Sequence, residues 1–310
     1  MTPARGVAAG MAAALILAGM GCKPNAAREA SPTVPPANVE APWTLVYEHV
    51  VAGNQDLYLV PAGGGVPRRL TDDAAHDSLP RFTADGQSVL FTSDRTGNYQ
   101  IWKVPAAGGA ALRVRANPHT EWQVDPAPDG RQLAFLSDQE GPEYLFVLDQ
   151  ASGRERPVAR HGKGSILGNP DWDGASRRIV FSSNWRIGHQ IYVVDAETGA
   201  ETRLSAFSAG GCEPRFRPDG QRVVYVKRGH LSDKSRLVEH DPRTGAETVL
   251  VDWPALNYDP AYSPDGSEIA FASNITGEYA VYRQRLSDGK SWRVTHGSGA
   301  ARYPDYAPVP

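Results

Sequence analysis

The sequence predicts an all-β fold: a six-bladed β-propeller whose blades are four-stranded antiparallel sheets. Its basis is a module at residues 79–114 with four short apolar runs separated by turn-forming residues, and each run is typical of a strand. The module returns along the chain at an almost constant interval, and its first and last copies are incomplete. A sheet this small buries neither face alone, so neighbouring copies must cover it.

Three turns connect the four strands of the module. The first is Asp85-Gly86, because glycine reaches the positive φ of a tight hairpin without steric penalty. Residues 94–98 form the second turn and residues 105–109 the third. In the fourth copy Asp173-Gly174 resembles the first turn, but the spacing from the preceding proline places Ala175-Ser176 in the turn position.

Two sets of positions establish the repeat. Large aromatic residues end the second strand of each copy at intervals of 44, 44, 46, 44 and 46 residues: Tyr47, Phe91, Phe135, Phe181, Tyr225 and Phe271. The third strands begin at intervals of 44, 44, 46, 46 and 44 residues, at Leu57, Ile101, Leu145, Ile191, Leu237 and Val281. Six copies of one period predict six blades.

The two ends of the chain complete each other. The first strand of a copy opens at Pro80, Val124, Pro170, Pro214, Pro260 or Pro304. Tyr47 has no such strand before it, whereas Pro304 has no further strands after it. We therefore expect residues 303–307 to become the innermost strand of the blade formed by residues 43–71, which would close the ring and protect its edges.

The first 22 residues are typical of an export signal. Arg5 precedes an uninterrupted run of 14 apolar and small residues, 7–20, which is too short to span a bilayer comfortably. Cys22 stands where bacterial lipoproteins carry their acylated cysteine, so we expect a lipid on Cys22 that holds the protein on a membrane. Residues 19–21 depart from the usual lipoprotein pattern, which leaves ordinary signal cleavage or an unprocessed segment as alternatives.

Residues 23–42 contain five prolines and almost no large apolar side chain, which predicts an extended tether ahead of a propeller at 43–310. The whole chain has 31 Gly, 25 Pro and 22% charged residues, as expected for many short strands joined by tight turns. A formal charge of −3 with mixed signs gives no reason to expect nucleic acid as a partner. If Cys22 is acylated or removed, Cys212 has no partner for a disulfide.

Residues 80–86, Pro-Arg-Phe-Thr-Ala-Asp-Gly, followed by 91–102, Phe-Thr-Ser-Asp-Arg-Thr-Gly-Asn-Tyr-Gln-Ile-Trp, resemble the repeat of the TolB-type β-propeller. Segments 213–220 and 259–266 match the same pattern, and the resemblance covers residues 43–310. It implies a six-bladed propeller in the periplasm of a Gram-negative envelope, where TolB binds proteins of the Tol-Pal system. TolB carries an α/β domain ahead of its propeller, and the corresponding residues here are interpreted as signal and tether. We therefore expect a TolB-like protein whose own partner the resemblance does not supply.

The candidate binding site follows from propeller geometry. Loops that run from the outer strand of one blade to the inner strand of the next converge at one mouth of the channel. Aromatic, carboxylate, amide and arginine side chains in these loops suit recognition of a protein or peptide segment. The alternative is that these side chains are polar only because water surrounds them, although large aromatics have less reason to lie in a solvated loop. The candidate residues are His76, Asp77, Trp122, Gln123, Asn169, Glu213, Tyr258, Asp259, Arg302 and Tyr303.

A second set of residues is predicted to line the channel. They follow the strand-opening positions by one residue, at Arg81, Asp125, Asp171, Arg215, Ala261 and Asp305. The charged members could hold water, a cation or the charged end of a substrate. Ion pairing between neighbouring blades is the structural alternative. The Ser and Asp side chains of the second turns are expected to bond to local backbone.

An enzymatic alternative rests on four histidines in loops of one face: His76, His119, His161 and His296. Histidines from separate blades could meet around a metal, and oligogalacturonate lyases carry a metal on a related propeller. No His-x-His pair occurs, and no G-x-S-x-G motif of a serine hydrolase is present. We therefore expect a monomeric binding protein without metal or cofactor, whose only membrane contact is a lipid on Cys22, with a metal-dependent lyase or hydrolase as the alternative.

Overall fold

The structure is a computed structural model, and it describes residues 42–141, 143–185, 188–205, 210–228 and 233–309. The predicted signal, Cys22 and the predicted tether up to residue 41 lie outside the described residues. All regular elements of the described residues are strands. A search of the same residues finds no helix that could span a bilayer.

The first strands of the chain form blade 1 together with the last one, in the order β24-β1-β2-β3. Its members are β1 (Thr44–Val51), β2 (Asn54–Pro61), β3 (Arg68–Arg69) and β24 (Ala300–Tyr306). Blade 2 consists of β4 (Asp77–Phe82), β5 (Ser88–Ser93), β6 (Gln100–Pro105) and β7 (Leu112–Arg113). Blade 3 consists of β8 (Glu121–Pro126), β9 (Gln132–Ser137), β10 (Tyr144–Asp149) and β11 (Glu155–Ala159).

The remaining blades repeat the same order of strands. Blade 4 contains β12 (Leu167–Trp172), β13 (Arg178–Ser183), β14 (Gln190–Asp195) and β15 (Glu201–Arg203). Blade 5 contains β16 (Gly211–Phe216), β17 (Val223–Arg228), β18 (Ser235–His240) and β19 (Glu247–Val251). Blade 6 contains β20 (Asn257–Tyr262), β21 (Glu268–Ser273), β22 (Ala280–Arg285) and β23 (Ser291–Arg293).

The ring is closed by the two ends of the described chain, as the sequence predicts. Strand β24 pairs antiparallel with β1, with Leu45 opposite Tyr306 and Val50 opposite Ala300. Inner strand β24 also contacts β20 of blade 6 and β4 of blade 2. The fold is therefore an all-β propeller of six four-stranded antiparallel blades.

The core is divided among the six interfaces between blades. Each of six clusters of buried apolar side chains takes its members from two neighbouring blades. Between blades 1 and 2, for example, Val46 and Leu57 pack with Val89 and Phe91. Each blade is thus stabilised by its neighbours, as a sheet that buries neither face alone requires.

Every inner strand carries one β-bulge at the position of the strand-opening residue. In blade 2 the register shifts between Ser78 and Arg81, so that Leu79 and Pro80 lie opposite the single residue Phe91. The first bulge residue of each strand is left-handed, with φ of 50–56°, at Leu79, Gln123, Asn169, Glu213, Asp259 and Tyr303. The large aromatics that mark the sequence repeat are the residues opposite these bulges. Proline suits the second bulge position because it has no N–H to pair.

The turn assignment in blade 4 is also as expected. Ser176 takes the left-handed conformation that Gly86 takes in blade 2, and its N–H bonds to the carbonyl of Asp173 at 2.9 Å. Gly174 serves another purpose, because a Cβ there would lie 2.3 Å from the carbonyl oxygen of Pro218 in blade 5. The Asp173-Gly174 dipeptide therefore marks close contact between blades and not the turn glycine.

Candidate functional site

The candidate site lies where the inner strands begin, and we call this end the mouth. Because strands in a blade are antiparallel, each second strand ends at the same face, and its turn stands beside the entering loop. Side chains of these turns accept backbone N–H groups from the loops at 2.6–2.9 Å: Asp94 from His76, Asp138 from Thr120, Asn184 from Ile166 and Asn274 from Leu256. The turn serines bond locally, as expected, but these four side chains reach residues 18 positions upstream.

The bulge residues link neighbouring blades around the mouth. A bulged residue is left out of the strand ladder, so its N–H needs another acceptor. Gln123 accepts the N–H of Asn169 at 2.6 Å, and Glu213 accepts that of Asp259 at 2.6 Å. Asp259 in turn accepts the N–H of Tyr303 at 3.3 Å. Polar side chains at these positions therefore satisfy backbone donors of the next blade.

The charged residues two positions after the first bulge residue of each inner strand form ion pairs between neighbouring blades along the channel wall. Arg81 lies between Asp305 at 3.2 Å and Asp125 at 3.3 Å, which belong to the blades on either side of it. Arg215 pairs with Asp171 at 3.2 Å. All five side chains are at least four-fifths buried. Burial raises the pKa of Asp125 to about 6, although Arg81 opposes the rise.

The charged wall borders a small cavity. A cavity of about 20 Å³ lies between the bulges and the charged wall, lined by Leu79, Pro80, Arg81, Gln123, Val124, Asn169, Pro170, Arg215 and Tyr303. This volume suffices for roughly one water molecule.

Arg302 is enclosed by tyrosines on one side of the mouth. Its guanidinium carbon lies 4.6 Å from the ring centroid of Tyr303, 5.0 Å from that of Tyr279 and 5.6 Å from that of Tyr258. Asp259 accepts two hydrogen bonds from the guanidinium, at 2.9 and 3.0 Å. Cation–π contacts strengthen when water is excluded, so the cluster holds Arg302 in one position.

Two glutamates next to this cluster titrate close to neutral pH. Burial raises the pKa of Glu48 to about 7, although the charge of Arg302 opposes the rise. At Glu213 burial and the carboxylate of Asp259 together raise the pKa to about 8. The charge of the mouth therefore depends on pH in the neutral range.

Blade 4 contributes two exposed apolar residues to the mouth. Trp185 is 45% exposed and Ile166 is 37% exposed. Ile166 donates its N–H to the side chain of Asn184 and accepts the N–H of Asn184 at 3.2 Å, which places both residues together. We call Ile166 and Trp185 the rim patch. The indole of Trp185 also packs on the ring of His161, with centroids 4.7 Å apart.

The histidines of this face have separate partners. His76 contacts Asp94 at 3.1 Å, and His161 contacts Ser183 and Glu201 at 2.6 and 2.9 Å. The part of the chain that the structure describes holds no group of three or more His, Cys, Asp or Glu side chains arranged to bind a metal. Cys212 is a free cysteine.

The structure brings five of the predicted binding residues together, from blades 5, 6 and 1: Glu213, Tyr258, Asp259, Arg302 and Tyr303. Gln123 and Asn169 form a separate pair at the next bulges. Asp77 is fully buried and paired with Arg95, whereas His76 is exposed. Trp122 packs against the core between blades 3 and 4.

Four residues of the site were not identified from the sequence: Ile166, Trp185, Tyr279 and Glu48. Trp185 and Tyr279 lie in second turns, of which only the Ser and Asp side chains were assigned a role, and Glu48 lies in β1. A large aromatic in a turn was the available signal for Trp185. Nothing in the local sequence indicates that Glu48 accepts the N–H of Leu79, because this contact depends on ring closure.

Six four-stranded sheets, closed into a ring by β24, define the chain as a six-bladed β-propeller. A family profile described as "TolB beta propeller domain" matches residues 31–156 and 165–309. The chain therefore belongs to the TolB β-propeller domain family, which confirms the resemblance seen in its repeats.

Two solved structures and one sequence relative show how far the likeness extends. TolB from Acinetobacter baumannii superposes with a TM-score of 0.77 at 17% identity, over 90% of this chain and 69% of that chain. An oligogalacturonate lyase in complex with manganese gives a TM-score of 0.57 at 15% identity, over 82% and 74% of the two chains. At these identities the likeness concerns the fold alone. The Tol-Pal system protein TolB of Francisella tularensis is 24% identical over 94 residues, which span 30% of this chain and 22% of the relative.

Proposed function

We propose that this protein is a TolB-like scaffold of the cell envelope that binds a protein or peptide segment at its mouth. The observation that carries the proposal is the rim patch, where a half-exposed tryptophan and an exposed isoleucine lie on the loop-rich face, in a turn and a loop that the hydrogen bonds between Asn184 and Ile166 hold together. Tryptophan is enriched among the residues that dominate binding energy at protein interfaces. Its indole supplies a large apolar area.

The surroundings of the rim patch suit an interface. The exposed side chains of His76, His119 and Asp138 lie on the same face and supply polar groups that can orient a partner. Protein interfaces combine an apolar centre with a polar edge of this kind.

The location proposed for this function is the periplasm. Membership of the TolB propeller family and the name of the Francisella relative, a Tol-Pal system protein, support an envelope location. The predicted export signal agrees with it. We further propose that a lipid on Cys22 holds the protein at a membrane while the propeller remains in the aqueous compartment.

Crosslinking in living cells tests the proposed site. A photoreactive phenylalanine analogue replaces Trp185 in one strain and Arg131 in another, because Arg131 is exposed on the hairpin at the opposite end of blade 3. Discrete protein adducts from position 185 that position 131 does not give are the expected result. The proposal fails if position 185 gives no adduct, or if both positions give the same adducts.

A further inference from the structure

A groove of about 480 Å³ opens between blades 5 and 6, at the end of the strands opposite to the mouth. Its volume is within the range of sites that bind small molecules or short segments. The lining comes from the hairpin turns and strand ends of the two blades: Arg217, Arg222, Glu239, Thr248, Leu250, Gly266, Ser267, Glu268, Arg285, Leu286 and Ser287. None of these residues takes part in the proposed site at the mouth.

Glu239 fixes one wall of the groove. Its carboxylate is almost fully buried and accepts hydrogen bonds from Arg217 at 3.1 Å, Arg222 at 2.8 Å and the Tyr262 hydroxyl at 2.7 Å. Arg217 also donates to the carbonyl of Gly266 at 3.2 Å. Arg222 gives Glu239 one of its five donors, and 45% of its side chain is exposed. This wall therefore presents a positioned guanidinium that can still bind an anion.

The opposite wall carries a second positioned arginine. The guanidinium of Arg285 lies 5.1 Å from the ring centroid of Trp292, and one of its amino groups contacts Asp288 at 3.3 Å. Glu268, the acidic residue in this wall, is paired with the buried Arg283 at 2.7 and 2.8 Å. The two acidic residues in the lining are thus each held by arginine, and Arg222 and Arg285 keep donors for a ligand.

The groove also has apolar and backbone features that favour an extended peptide. Leu250 and Leu286 in its lining pack against the core between blades 5 and 6. Outer strand β19 is five residues long, against two or three in blades 1, 2, 4 and 6, and one of its edges has no partner in its sheet. A free edge next to a groove allows a peptide to add as a further strand.

We propose that this groove binds an acidic peptide segment in extended conformation alongside β19. A carboxylate of the segment binds Arg222, since guanidinium groups match the geometry of carboxylates, and Arg285 adds a second positive charge on the opposite wall. Side chains two positions apart in a strand point to the same face, so an apolar residue two positions from the carboxylate contacts Leu250 and Leu286. The recognised pattern is therefore acidic, any residue, apolar.

Fluorescence anisotropy with the purified protein tests this site. The probe is a labelled hexapeptide with two Glu-x-Leu patterns, compared with the same peptide carrying Lys for Glu. We expect the acidic peptide to bind and the lysine peptide not to bind. Arg222→Gln should weaken binding of the acidic peptide at least tenfold. Ser287→Asp, an exposed change in the blade 6 lining that places a carboxylate in the groove, should weaken it similarly. Arg131→Gln removes the same charge from the exposed hairpin of blade 3 and should leave binding unchanged.

Three results would overturn the proposal. The first is equal binding by the lysine peptide, and the second is unchanged affinity in both groove variants. The third is equal affinity for a peptide without leucine together with full displacement by millimolar inorganic phosphate, which would define a site for small anions. Crosslinking from position 185 reports on the mouth independently, so a failure there does not affect this test.

Discussion

Asp305 and Phe82 join the two blades at the closure of the ring, although 223 residues separate them in the chain. The carboxylate of Asp305 accepts the backbone N–H of Phe82 at 2.8 Å. The same contact recurs further round the channel, at 2.9 Å from Trp172 to Asp125 and at 2.7 Å from Phe216 to Asp171. Each aspartate of the channel wall thus binds the inner strand of the next blade as well as an arginine.

Replacement of Asp305 by alanine should destabilise the propeller. The change leaves the N–H of Phe82 without its acceptor and removes one of the two carboxylates that pair with Arg81. Loss of a buried acceptor together with one member of a buried ion pair costs about 2–4 kcal/mol. Urea denaturation, followed by tryptophan fluorescence, measures this difference in the free energy of unfolding.

Asp305→Asn is the matched control, because the amide oxygen can still accept the N–H of Phe82. We expect Asn to lose clearly less stability than Ala. Equal losses in the two variants would mean that the charge, and not the hydrogen bond between blades, carries the effect.

Glycine at position 174 should be essential for the contact between blades 4 and 5. A Cβ at this position would lie 2.3 Å from the carbonyl oxygen of Pro218, which belongs to the backbone and cannot rotate away. Gly174→Ala therefore forces the two blades apart and should cost about 1–3 kcal/mol. Thermal unfolding by circular dichroism provides the measurement.

Ser176→Gly serves as the comparison within the same turn. It relieves a left-handed φ of 54° but removes the hydroxyl that accepts the N–H of Asp129 at 3.0 Å. These effects are of similar size and opposite sign, so the stability should change by less than about 1 kcal/mol. A larger loss of stability from Ser176→Gly than from Gly174→Ala would contradict the assignment of Ser176 to the turn and of Gly174 to the contact between blades.

The repeat made most of the fold predictable, for a physical reason. Phe91 and its five equivalents are buried opposite the bulges, so the same steric requirement returns in each blade and leaves an aromatic at a constant interval. Ring closure followed from the missing first strand before Tyr47 and the unpaired strand at Pro304. Both signals can be identified by comparing the copies of the repeat along the sequence.

The site was less predictable because its contacts join distant residues. The left-handed bulge residues do not resemble one another, because their side chains have different partners: Glu213 accepts an N–H from the next blade, whereas Tyr303 contacts Arg302 of its own strand. Exposure was equally hidden, because Trp122 packs against a core cluster while Trp185 remains half exposed. Side-chain type alone does not distinguish these environments.

The stability of the protein should decrease as the pH rises through the neutral range. Glu213 has a pKa of about 8 in the folded protein, mainly because of burial, and its ordinary value is 4.5. The folded state therefore binds more protons than the unfolded state between these two values, and stability falls as the pH rises through about 8. Glu48, with a pKa of about 7, contributes with the same sign.

Glu213→Gln should reduce this pH dependence. The glutamine oxygen can still accept the N–H of Asp259, but the side chain no longer has to lose a proton in a buried position. We expect the variant to be more stable than the unmodified protein at pH 8.5, by about 1 kcal/mol or more. At pH 5 the difference in the free energy of unfolding should be smaller. Urea denaturation at a series of pH values tests this. If the free energies of unfolding of the two proteins change with pH in parallel, the prediction is wrong.

Trp185 should dominate binding at the mouth. With the photoreactive residue placed at Ile166, Trp185→Ala should reduce the yield of the protein adduct about tenfold or more, because the indole supplies most of the exposed apolar area of the rim patch. The free energy of unfolding should change by only about 1 kcal/mol, since the ring is half exposed. Immunoblots of crosslinked cells quantify the adduct.

Two further variants test whether the adduct yield depends on the position of the Trp185 indole and not only on its presence. A Cβ added at Gly162 would lie 2.8 Å from Nε1 of Trp185, so Gly162→Ala should displace the ring and lower the adduct yield while the tryptophan is retained. Val66→Ala removes an apolar side chain that is 91% exposed in the connection between β2 and β3, at the opposite end, and should have no effect. Equal losses from Val66→Ala and Trp185→Ala would show that surface hydrophobicity in general, and not the rim patch, captures the partner.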